Sequence, residues 1–246
     1  MSFDGQRVVI IGASAGIGEA AAKAFAARGA TVTITGRSKE RLDQAAQRIG
    51  HPVLAAEVDA TSRAALDAFF ATTGMIDHLV LSVSPGAVGA GPFATLDEAA
   101  LRQAFDGKFF AHVKAIQAAL PQLRRDGSVT LVTAATARAA FAGTAGIAAA
   151  NGALETMVAP LAVELAPLRV NAVSPGVVDT HWWNALPEDQ RRAYFDSVAA
   201  VSPVRRVGRP DDVADAVVYL ADAGFVTGTV LECTGGFNLT AAALAS

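Results

Sequence analysis

The plainest capacity for chemistry lies in the glycines of Gly12-Ala13-Ser14-Ala15-Gly16-Ile17-Gly18, directly behind the apolar run Arg7-Val8-Val9-Ile10-Ile11. A β-branched run, a glycine-rich turn and the helix-forming stretch from Glu19 to Arg28 open a nucleotide-binding βαβ unit. On this reading Gly12 turns the strand sharply and Gly16 lets backbone N–H groups approach a pyrophosphate. Gly18 lets the helix pack closely on the sheet. The helix start adds unpaired N–H groups and a positive dipole end. Ser14, Ala15 and Ile17 complete the expected cofactor cradle.

A second signal stands at the end of the next strand. An NAD site usually carries an acid there to accept from the ribose hydroxyls, whereas an NADP site uses a cation. Here the position is Gly36, followed by Arg37, whose guanidinium matches a phosphate with a fork of donors. The expected cofactor is therefore NADP. Metal chemistry lacks its residues: His51, His78, His112, His181 and Cys233 have no metal-ligand spacing.

The elements that must hold these residues follow from hydrophobic period and punctuation. After Gly29, read as a helix C-cap, strands are expected at 31–35, 53–58, 77–81, 128–133, 169–174 and 230–233. Helices are expected between them: Ser38 caps one ending at Gly50, and another spans 62–73. Thr95-Leu96-Asp97-Glu98 has capping-box spacing and opens a long helix to about Leu120. An Ala-rich helix covers 146–166, and Pro210-Asp211-Asp212 starts one reaching Leu220. Residues 181–204, with Trp182, Trp183, Tyr194 and Phe195, read as a helical insertion serving as a lid. The alternation predicts a single domain over 1–246: an α/β doubly wound Rossmann-like fold, with a parallel sheet of about seven strands and helices on both faces.

Composition bounds the partners. Hydrophobic residues make up 52%, enough for a large core, and a net charge of −3 leaves no basic footprint for nucleic acid. One cysteine forbids an internal disulfide and suits a reducing compartment. With no signal peptide read and no apolar run of spanning length free of polar interruption, the expectation is a cytoplasmic protein that does not enter a membrane.

With these residues in place, the chain resembles the short-chain dehydrogenase/reductase family over essentially its full length. Its G-x-x-x-G-x-G spacing is that family's, and Thr227-Gly228 and Gly235-Gly236 match the C-terminal signature. Arg169-Val170-Asn171-Ala172-Val173-Ser174-Pro175-Gly176 matches the sixth-strand motif. The resemblance implies that Asp59 lies near the adenine, and that Pro175, Gly176, Val178 and Thr180 touch the nicotinamide end. In place of the family's Asn-Asn-Ala-Gly turn stands Leu81-Ser82-Val83-Ser84.

The catalytic set departs from the family. Members use a serine after the fifth strand, a tyrosine, a lysine four residues later and an asparagine on the preceding long helix. In ungapped register these positions hold Ala134, Ile147, Asn151 and Lys108, so a phenol acidified by an ammonium is missing. Lysine and asparagine have exchanged places, as in a small atypical branch resembling NADPH-dependent reductases. The resemblance thus implies Lys108 as the site's cation and proton donor. Asn151 would then bond Lys108 or a ribose hydroxyl, His112 would sit one turn beyond on the same face, and Thr133 would line the site. Thr136 and Arg138 are further candidates for lining it.

The expected function is NADP(H)-dependent oxidation or reduction of a small, mainly apolar alcohol or carbonyl. The alternative is a non-catalytic NADP(H)-binding protein. A homodimer or homotetramer is implied by the resemblance.

Overall fold

The run Arg7–Ile11 forms β1, because β-branched residues buried on both faces fit the centre of a parallel sheet. It pairs in parallel with β2 (Thr31–Gly36) on one side and β4 (Ile76–Leu81) on the other. Adding β3 (Val53–Glu57), β5 (Leu123–Val132), β6 (Arg169–Pro175) and β7 (Val230–Cys233) gives the order β3-β2-β1-β4-β5-β6-β7, parallel throughout. The computed structural model describes residues 1–240; the domain read from the sequence runs on through 241–246, outside the described residues.

Helices cover both faces. α1 (Gly16–Ala26), α2 (Lys39–Ile49) and α8 (Pro210–Asp222) bury residues such as Phe25, Leu42 and Val217 against Val8, Ile10 and Ile34. On the opposite face lie α3 (Arg63–Thr73), α5 (Ala111–Ala119) and α6 (Ala145–Glu164), packing Phe70, Ala115 and Leu154 on Val9, Leu79 and Leu131. Ser38 accepts from the Arg41 N–H and Ser62 from the Ala65 N–H, so both expected N-caps form, and Gly50 takes the left-handed conformation at φ +70°.

Some boundaries differ. Thr95 sits in a 3₁₀ turn (Phe93–Thr95), and α4 (Glu98–Phe105) begins after Asp97, whose side chain makes no cap bond. The expected long helix is broken by a π turn, Asp106–Phe110, before α5. α1 stops at Ala26, with Ala27 rather than Gly29 at its cap. The fifth strand starts early, at Leu123, through the exposed Arg124-Arg125-Asp126 and a register irregularity between Ile76 and His78. By length and composition alone α6 could span a membrane, but Asn151 and Glu155 interrupt its apolar run, and in this fold it buries Leu154, Val158 and Ala162 in the core.

Two helical pieces lie within 181–204: a 3₁₀ turn over His181–Ala185, then α7 (Glu188–Val201). The short α9 (Phe237–Thr240) packs against α7.

Candidate active site

Strand order reverses between β1 and β4, and a crevice opens there at the carboxyl ends of the strands. Gly12 leaves β1 with φ +88°, and a Cβ on it would stand 2.8 Å from the Ser82 carbonyl oxygen at the end of β4. Only glycine meets both demands. Gly18 lies against the backbone of Gly12 and Ala13, and Gly16, at the start of α1, lies beside the Thr180 side chain. Ala15 is the N-cap and offers no side-chain bond, so the first N–H groups of α1 stay unpaired by any cap. The glycine turn is thus a backbone cradle that side chains would fill, and it fits the phosphates of a dinucleotide.

At the mouth of this cradle, a Cβ on Gly36 would lie 3.4 Å from the Ser14 Cβ. Arg37 follows, exposed and without an ion pair among the described residues. Asp59 accepts from the Thr61 N–H at 2.9 Å and hydroxyl at 2.8 Å. Those bonds, with the charges of Arg37 and Lys114, hold its carboxyl below the usual carboxylate range. Arg48, unremarked in the sequence, pairs with Glu19 at 2.8 Å and donates to the Ser14 carbonyl at 3.3 Å, tying α2 to the cradle.

Beyond the cradle lies a cavity of about 550 Å³. Ile17, Pro175, Gly176, Val178 and Thr180, all expected to touch cofactor, line the cavity. Thr180 also caps the following 3₁₀ turn by accepting from the Trp182 N–H. Trp182, Trp183 and Tyr194 form the outer wall; the indole rings lie 4.6 Å apart, and Trp183 donates to the Val178 carbonyl at 2.9 Å. Phe141 and the buried Phe237, stacked at 5.4 Å, complete that wall. Sequence reasoning missed this pair; the only signal was a phenylalanine immediately after Gly235-Gly236.

Lys108 reaches the cavity from the π turn and is only 8% exposed. Its Nζ donates to the Val132 carbonyl oxygen at 2.7 Å, leaving two N–H groups. Burial pulls the ammonium down to about 7. Gly107 makes this turn possible, since a Cβ there would stand 2.7 Å from that of Pro85.

The other expected catalytic residues are placed differently. His112 does not line the cavity; its Nδ1 lies 2.8 Å from the Lys108 carbonyl and its Nε2 3.3 Å from that of Leu81. Burial and the Lys108 charge push it down to about 3, so it is a neutral ring that holds the π turn from behind. Thr133 lines the cavity, but its hydroxyl donates to Glu155 at 2.8 Å, which makes it structural. Asn151 does not bond Lys108: its Nδ2 donates to the Ile147 carbonyl at 3.0 Å. Only the amide nitrogen can face that carbonyl, so the buried Oδ1 is the atom left without a partner. Ala134, Ile147 and Thr136 line the wall, whereas Arg138 turns out of it to pair with Glu155 at 2.8 Å.

The family described as Enoyl-(Acyl carrier protein) reductase matches residues 12–238. A short-chain dehydrogenase/reductase of Stachybotrys chlorohalonatus is 33% identical, over 94% of this chain and 96% of the relative. The chain belongs to the short-chain dehydrogenase/reductase family. It is also similar to cis-4-hydroxycyclohexanecarboxylate dehydrogenase of Sinomonas cyclohexanicum, 32% identical over 96% of this chain and 98% of that one. A small-chain dehydrogenase solved in complex with NADPH superposes with a TM-score of 0.82 at 29% identity, covering 96% of this chain and all of the other. The chain is thus an oxidoreductase of the short-chain dehydrogenase/reductase family.

Proposed function

We propose that this protein is an NADP(H)-dependent oxidoreductase of uncharged, mainly apolar carbonyls or alcohols, belonging to a branch whose proton donor is Lys108. One observation carries the reading: a buried lysine, with N–H groups to spare, faces a cavity lined by no other charged side chain among the described residues. The glycine cradle would hold the phosphates, Arg37 and Ser14 the additional phosphate of NADP, and Pro175, Gly176 and Thr180 the nicotinamide end. The cofactor supplies the hydride. The NADPH-bound relative supports that choice, as does the lack of an acid after β2.

Within this site the protein's own work is to bind, orient and transfer a proton. Trp182, Trp183, Phe141 and Phe237 exclude water and press an apolar body toward the nicotinamide end. Lys108 donates toward the substrate oxygen, while the Val132 carbonyl fixes its direction. An ammonium near 7 can release a proton at neutral pH, which an ordinary lysine does poorly. Residues 181–204 act as a lid on one domain. The exposed Phe110 and Val163, on the π turn and on α6, support a homo-oligomer seated on those elements.

Sustained NADPH consumption with neutral cyclic ketones is the test. Turnover supports an enzyme; NADPH binding with no turnover across such a panel would favour a non-catalytic binding protein instead.

A further inference from the structure

We infer that Glu155, which lies behind the cavity wall and outside its lining, is a positioning residue that fixes the Thr133–Arg138 turn and through it the carbonyl that orients Lys108. The inference rests on the reading of Lys108 as the site's donor. The wall after β5 consists of Ala134, Ala135 and Thr136, side chains with little means of holding a backbone in place. Its own bonds are short-range: Ala137 N–H to the Ala134 carbonyl and Arg138 N–H to the Ala135 carbonyl, each at 3.0 Å.

The Glu155 carboxylate grips both ends of this turn. Oε1 accepts from the Thr133 hydroxyl and Oε2 from Arg138 Nε, each at 2.8 Å. Arg138 Nη1 also lies 3.7 Å from Glu232 on β7, so the turn is held between α6 and the sheet edge. Glu155 is 8% exposed, and a buried carboxylate is costly to bury unless donors meet it. Apolar side chains of similar volume in place of the carboxylate and both its donors would hold such a region with little loss of stability. The carboxylate adds direction, because its two donors are the two ends of one catalytic wall.

The connection to Lys108 is a single peptide. The Thr133 N–H donates to the Val173 carbonyl at 2.9 Å while its hydroxyl holds Glu155, so that residue is clamped from β6 and α6 together. The preceding carbonyl, that of Val132, receives the Lys108 ammonium. Rotating the peptide between them would swing this acceptor away. Ile147, Asn151 and Glu155 recur at four-residue intervals on α6, so one helix face carries the wall and its brace.

The experiment compares Glu155→Leu, Glu155→Gln and Thr133→Val in the full chain, by backbone hydrogen exchange and by steady-state kinetics with NADPH and a neutral cyclic ketone. Glu155→Leu should speed exchange at Ala137 and Arg138 and lower kcat roughly tenfold or more, with the KM for NADPH nearly unchanged, as for a misplaced donor. Glu155→Gln keeps an acceptor for Thr133 and should recover most of kcat. Thr133→Val should reproduce the kcat loss with the Arg138 pair intact, and it decides the matter if Glu155→Leu does not fold. Unchanged exchange in Glu155→Leu, or Glu155→Gln as impaired as Glu155→Leu, would overturn the inference. Lys108→Met measured in parallel separates the two readings: full activity there removes the donor role, and the exchange rates still decide whether Glu155 fixes the turn.

Discussion

Lys108 Nζ and the Val132 carbonyl oxygen stand 2.7 Å apart, joining a π turn to the end of a central strand inside an apolar cavity. A π turn inserts one residue into a helix and is frequent at functional sites. Here it turns an ammonium into the cavity whose wall includes Ile147, the residue at the position of the family's phenol.

This placement has a pH signature. Burial brings Lys108 from 10.5 to about 7, so carbonyl reduction, which needs the ammonium, should fall as pH rises through about 7. Alcohol oxidation, which needs the free amine, should rise over the same range. Stability carries the complementary sign. Below 7 folded and unfolded chains both hold the proton and the burial cost is full. Between 7 and 10.5 only the unfolded chain holds it, so stability from this group increases with pH. Thermal melts of wild type and Lys108→Met should show the variant's relative stability improving as pH falls from 10.5 to 7. A difference independent of pH would contradict a buried ammonium.

Arg37 should set cofactor preference. Losing one charge-assisted contact to phosphate costs about 1.5–3 kcal/mol, or roughly 10- to 100-fold in affinity. Titrating Arg37→Ala should show that loss for NADPH with NADH binding almost unaffected. An unchanged NADPH/NADH ratio would contradict the assignment.

Much of this was legible in the residues. Gly12, Gly16 and Gly18 report local backbone demands that only glycine meets, and each strand announces itself by a β-branched run, so the cradle and sheet could be read directly. The partners of Lys108 could not. Helical period suggests an unbroken turn through Phe105–Phe110, whereas contact between Gly107 and Pro85 and the bonds of His112 produce a π turn. Asn151, expected to meet Lys108 or a ribose hydroxyl, makes no bond to Lys108 and donates to its own helix, and Thr133 is taken up by Glu155, a residue more than twenty positions away. Long-range pairing of this kind leaves no periodic trace.

The aromatic lid should close when its site fills. Trp183 joins the 3₁₀ turn to α7 through Tyr194, with ring centres 5.0 Å apart, and to the loop after β6 through Val178. Hydrogen exchange over 181–201 should slow on adding NADPH and slow further with a neutral cyclic ketone. Equal exchange in all three states would show a fixed wall instead of a lid.

The central claim is tested most directly by Lys108→Met, with turnover and NADPH affinity measured on the same preparation. The account predicts an NADPH Kd within a few-fold of wild type and a turnover lower by roughly 10²–10⁴, the usual worth of a positioned acid. Full turnover in Lys108→Met would contradict it.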